Sequence, residues 1–318
     1  MPAIGDFDGD GKPDLVVTDA NGNSVRVLLN RGNGAFAAAS YGVGKYPNAI
    51  AVADFDGDGA IDLAAANEFD NSVSLLLNRG GGAFAAAVNY PVGSSPSSLV
   101  AGDFDGDGKA DLAVVKADRN DVSVLLNQGK GALAPAVDYA VGRQPLSIVL
   151  GDFDGDGRLD LATSDGSDSA VSILLNRGKG GFAMAVQYPA GLNGVALAAG
   201  DFNGDGAPDL AVTDGFANMT NLLLNKGNGT FQAPAKFSGG GASLAAGDLN
   251  GDGRLDLAVG GPIYTLLGLG DGTFAAALAL PRMPGGSVAI GDLNGDGRQD
   301  LVMGGGLTVF FNSGLSCQ

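Results

Sequence analysis

The chain has 318 residues, 35 of them acidic against 18 basic, with formal net charge −17, no histidine and no tryptophan. The Lys and Arg residues form no run or stripe that could track phosphates, which argues against nucleic acid as a partner. The longest apolar runs, such as Phe274 to Pro281, fall far short of the ~20 residues that cross a bilayer, and a single cysteine, Cys317, permits no intrachain disulfide.

The chain opens on a short strand, Met1 to Gly5, and enters an acidic turn at once: Asp6-Phe-Asp-Gly-Asp-Gly-Lys-Pro-Asp14. The same pattern, D-x-[D/N]-G-D-G-x-x-D, begins again at Asp54, Asp103, Asp152, Asp201, Asp248 and Asp292. The intervals between first aspartates are 48, 49, 49, 49, 47 and 44 residues, so one supersecondary unit is being copied. The third copy sets the unit: SSLVAGD, the turn DFDGDGKAD, LAVVK, a polar link ADRND, VSVLLN, the turn QGKGAL, then APAVDYAVG. Short segments rich in Val, Leu and Ala between Gly and Asn clusters read as strands, four to a repeat, and nothing is long enough for a capped helix. The link N-x-G-x-G-x-F, as in Asn30 to Phe36, Asn78 to Phe84 and Asn225 to Phe231, makes the third hairpin.

Seven four-stranded units of ~48 residues predict an all-β chain, a seven-bladed β-propeller of antiparallel blades in a single domain over 1–318. The blades start near 2, 49, 98, 147, 196, 243 and 287. After Asp300 only LVMGG and LTVFFN remain, so the last blade lacks its outer strand. Leu307 to Phe311 then offers a raw edge to a second chain. A linear solenoid is the competing architecture, but its end repeats need polar caps, and the terminal units here resemble the inner ones.

Only Glu68 among the 35 acidic residues is Glu, and most Asp residues sit in the seven turns. Seven divalent cations would bring the net charge from −17 to −3; without them each turn crowds three or four like charges. Alternating side-chain oxygens in a tight turn suit calcium, which takes six to eight hard oxygens. The expected ligands are Asp6, Asp8, Asp10 and Asp14 with the Lys12 carbonyl; Asp54, Asp56, Asp58 and Asp62 with Ala60; Asp103, Asp105, Asp107 and Asp111 with Lys109; and Asp152, Asp154, Asp156 and Asp160 with Arg158. The last three turns carry an amide at the third position: Asp201, Asn203, Asp205 and Asp209 with Ala207; Asp248, Asn250, Asp252 and Asp256 with Arg254; and Asp292, Asn294, Asp296 and Asp300 with Arg298. An EF-hand needs Glu at position 12 and flanking helices, whereas position 12 of the first turn is Val17 within a strand. Zinc lacks its His and Cys ligands, and magnesium prefers near-ideal octahedra with retained waters.

These repeats resemble the FG-GAP and VCBS repeats of the integrin α-subunit propeller and of many bacterial secreted proteins, over essentially the whole chain from Ala3 to Phe311. The resemblance implies calcium in up to seven loops and a non-catalytic, adhesion or lectin-like binding module that is secreted or displayed at the cell surface. Ligand binding is expected on the face opposite the acidic turns, where the links vary: Asp19 to Ser24, Asn67 to Ser72, Ala117 to Asp121 and Ser164 to Ser169. Tyr46, Phe69, Arg119, Arg143 and Phe216 on that face are the expected partner-binding residues, for a glycan or a protein. The absence of Trp leaves few platforms for stacking on sugars. No His and no evident nucleophile are present, and the carboxylates are committed to metal, which argues against catalysis.

Two further readings stay open: a subunit of an extracellular assembly completed by strand addition at Leu307 to Phe311, and an accessory propeller of a secreted enzyme. No charged n-region or apolar h-region precedes the first turn, so the chain reads as a mature or excised piece. Cys317 beside the free edge could join two chains, and Asn218 and Asn228 head glycosylation sequons.

Overall fold

Each repeat places a run of Val, Leu and Ala between two glycine-rich turns, and such runs satisfy their backbone polar groups by pairing antiparallel with the next run. The computed structural model describes residues 1–318 except 33, 192, 262, 280–285, 305–306 and 314–318, so Cys317 lies outside the described residues. The outcome is all-β: seven antiparallel sheets, six of four strands and a last one of three, with no helix among the described residues.

Blade 1 comprises Pro2–Gly5, Asp14–Asp19, Ser24–Asn30 and Phe36–Gly42, hydrogen-bonded in that order. Blade 3 repeats it with Pro96–Gly102, Asp111–Lys116, Asp121–Leu125 and Val137–Ala140. The seventh blade has Val288–Gly291, Asp300–Met303 and Thr308–Phe310, a three-stranded sheet among the described residues, as expected. The first strand of each blade packs on the first strand of the next, and Pro2–Gly5 packs on Val288–Gly291, which closes a ring around a central axis. Pro47, Pro96 and Pro145 begin inner strands, where a missing N–H removes no central ladder bond.

The burial pattern follows strand position. Second strands such as Asp111–Lys116 are buried throughout, while outer strands such as Val137–Ala140 are largely exposed. The core therefore lies between blades. Phe7, Val16, Val27, Ile50, Leu63 and Phe84 form the cluster joining blades 1 and 2. Within it the Phe84 ring meets Phe7 at 6.0 Å and Tyr41 at 5.3 Å, both edge to face. Similar trios recur at Phe104, Tyr139 and Phe182, and at Phe153, Tyr188 and Phe231. Each such ring pair adds ~0.5–1.5 kcal/mol beyond the area it buries. Among the described residues, no helix is long and apolar enough to cross a membrane.

Candidate metal loops and the opposite face

The acidic turns join the first and second strands of every blade. In the first turn the Gly9 and Gly11 amides, each 2.8 Å away, donate to the two oxygens of Asp6, and the Asp10 amide donates to one of them at 3.2 Å. Gly9 and Gly11 sit at φ of +77° and +82°, a conformation that a side chain would strain, and this curls the backbone around the carboxylate. All seven turns repeat the arrangement, down to Gly295 and Gly297 on Asp292.

The curl gathers oxygens. Carboxylate oxygens of Asp6, Asp8 and Asp10 lie within 4.8 Å of one another, as do those of Asp54, Asp56 and Asp58, of Asp103, Asp105 and Asp111, and of Asp152, Asp154 and Asp160. Ligands on opposite sides of an ion at ~2.4 Å stand about that far apart, so the grouping has the size of a calcium shell. Asp56 Oδ1 and Asp154 Oδ1 are buried with no hydrogen-bond partner. A buried carboxylate oxygen left bare is costly, and a cation is the partner that suits it. In the amide-bearing turns Asn203 donates to Asp205 at 2.9 Å, with Asn250 and Asn294 doing the same to Asp252 and Asp296 at 3.2 Å. One like-charge contact is thereby replaced by a hydrogen bond.

Two features of the turns escaped the sequence reading. The ninth residue, expected only as a ligand, is fully buried and accepts two backbone N–H bonds: Asp160 takes Phe153 at 2.8 Å on one oxygen and Asn176 at 2.7 Å on the other. Burial raises these carboxyls; Asp62, Asp111, Asp160 and Asp209 are pushed up to about 6 by desolvation, which the backbone bonds only partly offset. The seventh residue, expected to give only its carbonyl, also carries a cation in five turns. Lys12 Nζ reaches Asp10 at 2.6 Å, Lys109 and Arg158 pair with Asp107 and Asp156, and Arg254 and Arg298 stand 3.9 Å from Asp252 and Asp296. The lysine hydrogen bond holds Asp10 and Asp107 below the usual carboxylate range. Ala60 and Ala207 leave the second and fifth turns without such a countercharge.

Each turn is also tied to the next blade. The Asn176 amide donates to the Phe104 carbonyl in the acidic turn of the preceding blade at 2.9 Å and to the Leu159 carbonyl at 3.0 Å. Asn78 bonds Phe7 at 2.8 Å, Asn127 bonds Phe55 at 2.8 Å, and Asn225 bonds Phe153 at 2.9 Å. Asn30 reaches Leu293 of the seventh blade at 2.6 Å and closes the ring by the same device. A sequence signal existed: each of Asn30, Asn78, Asn127, Asn176 and Asn225 follows the last aspartate of its acidic turn by 16 residues.

The links between second and third strands and between blades lie at the opposite end, where the Glu68 and Phe69 amides donate to the Tyr46 and Lys45 carbonyls. Of the five residues expected there, Tyr46 and Phe69 come together, their rings stacked at 4.5 Å and 18°, with Phe69 64% exposed. A cleft of about 390 Å³ adjoins Phe69, lined also by Glu68, Asn71, Ser94, Ser95 and Asp118. Arg143 and Phe216 belong to the links of blades 4 and 5, and Arg119 follows Asp118 of the cleft wall. Arg143 is held by Asp168 at 2.6 Å, Arg119 is exposed, and Phe216 is 81% exposed. A larger cleft of about 590 Å³ runs between the outer strands of blades 3 and 4, past Asp138, Tyr139, Asp168, Met184 and Gln187. The sequence reading did not find it, because its walls come from different repeats.

A family model described as FG-GAP-like repeat matches residues 6–65, 54–114, 103–163, 161–212 and 201–259, and one described as FG-GAP repeat matches 284–308. Among solved structures, similarity extends to an Agrocybe aegerita lectin described by its specific recognition of non-reducing terminal N-acetylglucosamine. That pair shares 22% identity and a TM-score of 0.63, over 88% of this chain and 79% of the other. BBS1N, solved in complex with ARL6DN, is 13% identical with a TM-score of 0.67, over 98% and 91% of the two chains. The V. cholerae biofilm matrix protein Bap1 is 14% identical with a TM-score of 0.52, over 95% and 73%. No curated protein matches the chain.

Proposed function

Because the chain belongs to the FG-GAP-like repeat family, we propose that it is a non-catalytic, calcium-braced recognition module working outside the cell. The observation that carries the metal is the bare, buried oxygen of Asp56 and of Asp154 inside turns whose carboxylates already converge to the span of a calcium shell. The first, third and fifth residues of each turn would hold the ion with the seventh carbonyl, and the ninth aspartate would lend a lone pair while keeping its two amides. When bound, calcium supplies charge neutralisation and cross-links the turn. Filling of weak extracellular-type sites at roughly 0.1 to 1 mM calcium suits a secreted or surface location.

Recognition is assigned to the opposite face. The exposed Tyr46 and Phe69 rings beside a cleft of hydroxyl, amide and carboxylate groups suit a glycan or a peptide, and the folds of the lectin and of BBS1N, whose partners are a sugar and a protein, support that range. A glycan array and a pull-down from culture medium, each run with Phe69→Ala alongside the parent, test the assignment. Binding that weakens in the variant supports it, and binding unaffected by the change places recognition elsewhere. A second reading has its own observation: Thr308–Phe310 has no strand on its outer edge among the described residues, so strand addition would complete the blade. Light scattering at rising concentration checks this, a strict monomer removing self-assembly.

A further inference from the structure

Around the ring, every seam but one has side-chain hydrogen bonds that clasp neighbouring blades in addition to its apolar core. At the seam between blades 4 and 5, Tyr188 Oη donates to the Gly229 carbonyl at 3.3 Å and Asn225 Nδ2 to the Phe153 carbonyl at 2.9 Å. Tyr41, Tyr90 and Tyr139 make the same bond to Gly82, Gly131 and Gly180 at 2.9–3.2 Å across the three earlier seams, and each of those seams has its asparagine bond as well. Asn312 bonds Leu249 at 2.7 Å between blades 6 and 7, and Asn30 closes blade 7 on blade 1.

Between blades 5 and 6 both clasps are gone. Phe237 occupies the place of the tyrosine: its ring meets Phe274 edge to face at 5.1 Å, as Tyr188 meets Phe231 at 5.4 Å, but it has no hydroxyl to donate. Gly268 stands where the asparagine belongs; its amide still reaches the buried Asp256 at 2.7 Å, yet there is no side chain to cross the seam. What this seam shares with the seams between blades 2 and 5 is one backbone bond, from the Gly272 amide to the Phe202 carbonyl at 3.1 Å, matching Gly131 on Phe55, Gly180 on Phe104 and Gly229 on Phe153. The link across this seam is also altered. Val43, Val92, Val141 and Ala190 each start an inter-blade link with an amide donating to the preceding hairpin, and Gly239, followed by Gly240 and Gly241, takes that place here. The three glycines give up the apolar side-chain contact that Val43, Val92, Val141 and Ala190 make, and their close approach to Met219 and Gly260 leaves no room for a side chain that could restore it.

We infer that the ring has a preset opening line between blades 5 and 6, where the propeller parts before any of the seams between blades 1 and 5. Two side-chain hydrogen bonds of ordinary net strength correspond to on the order of a ten-fold difference in local opening. A ring closed by cooperative contacts opens at its weakest joint, and local opening sets amide exchange.

Hydrogen–deuterium exchange with mass spectrometry on the full chain tests this, by comparing protection of 268–276 with that of the matching segments 127–135, 176–184 and 225–233 in one sample. The expected result is about ten-fold lower protection at 268–276. Phe237→Tyr supplies the missing hydroxyl and should raise protection there several-fold, while Tyr188→Phe should lower it at 225–233. Equal protection of all four segments overturns the inference, and so does an unresponsive Phe237→Tyr beside a responsive Tyr188→Phe. The ranking is read with calcium and with EDTA, so the absence of a calcium effect would bear on the metal proposal alone.

Discussion

The two ends of the blades answer to different constraints. At the acidic end, seven turns repeat one geometry almost atom for atom, from Asp6 with its two glycine amides to Asp292 with the same two. At the other end the hairpins differ in length and chemistry: Asp19 to Ser24 in one blade, Asn67 to Ser72 with its exposed Phe69 in the next, and the exposed Phe216 in the fifth. A turn that must curl around a shared centre and also receive the asparagine of its neighbour has few sequences open to it. A hairpin that only returns the chain in solvent has many, and that freedom is what a recognition surface needs.

The sharpest way to break this contrast is to withhold divalent cations from the uniform end. EDTA should lower the melting temperature by more than about ten degrees, since several sites lose their mass-action stabilisation together; an unchanged melt in calorimetry would detach the turns from metal. Next in size is Asp160→Ala. It leaves the buried Phe153 and Asn176 amides without an acceptor, and at ~1–3 kcal/mol for each the loss should be about 2–6 kcal/mol in urea unfolding. Asn176→Ala removes the bond to the preceding turn and two within its own blade, to the Leu159 carbonyl and from the Gly178 amide, and should cost about 1–3 kcal/mol by the same measurement. Phe216→Ala at the variable end should change stability by less than ~0.5 kcal/mol.

Acidity separates the metal-free and calcium-loaded forms by sign. Asp62, Asp111, Asp160 and Asp209 hold their protons more tightly in the fold, at about 6, than in the unfolded chain, near 3.8. Their contribution is therefore complete below about pH 4 and is lost as the pH rises through 6, so the metal-free protein should gain stability from these groups between pH 7 and 4. In calcium the order reverses, because protons displace the ion from the same carboxylates. Melting curves at pH 7 and 5, with calcium and with EDTA, should slope in opposite directions.

Much of this was legible in the chain. The ruler of 44 to 49 residues and the short apolar runs specify blades, their number and the three-stranded last blade, because those features rest on local pairing within a repeat. The clasps were not read, since Asn78 meets Phe7 across 71 residues and Tyr90 meets Gly131 across 41. Only the ring brings them together. The anchoring role of Asp160 was hidden for a related reason: its complete burial, not its place in the motif, makes it the acceptor for two backbone amides. On the variable face, sequence placed Tyr46 and Phe69 on one surface but could not show that their rings stack.

The central claim is that divalent ions occupy the acidic turns, and the most direct test is metal content. Protein equilibrated in millimolar calcium and freed of unbound ions by rapid desalting should carry close to seven calcium ions per chain by elemental analysis. Single Asp→Ala changes at Asp56 or Asp154 should each remove one. A chain that retains no calcium under these conditions would contradict the account.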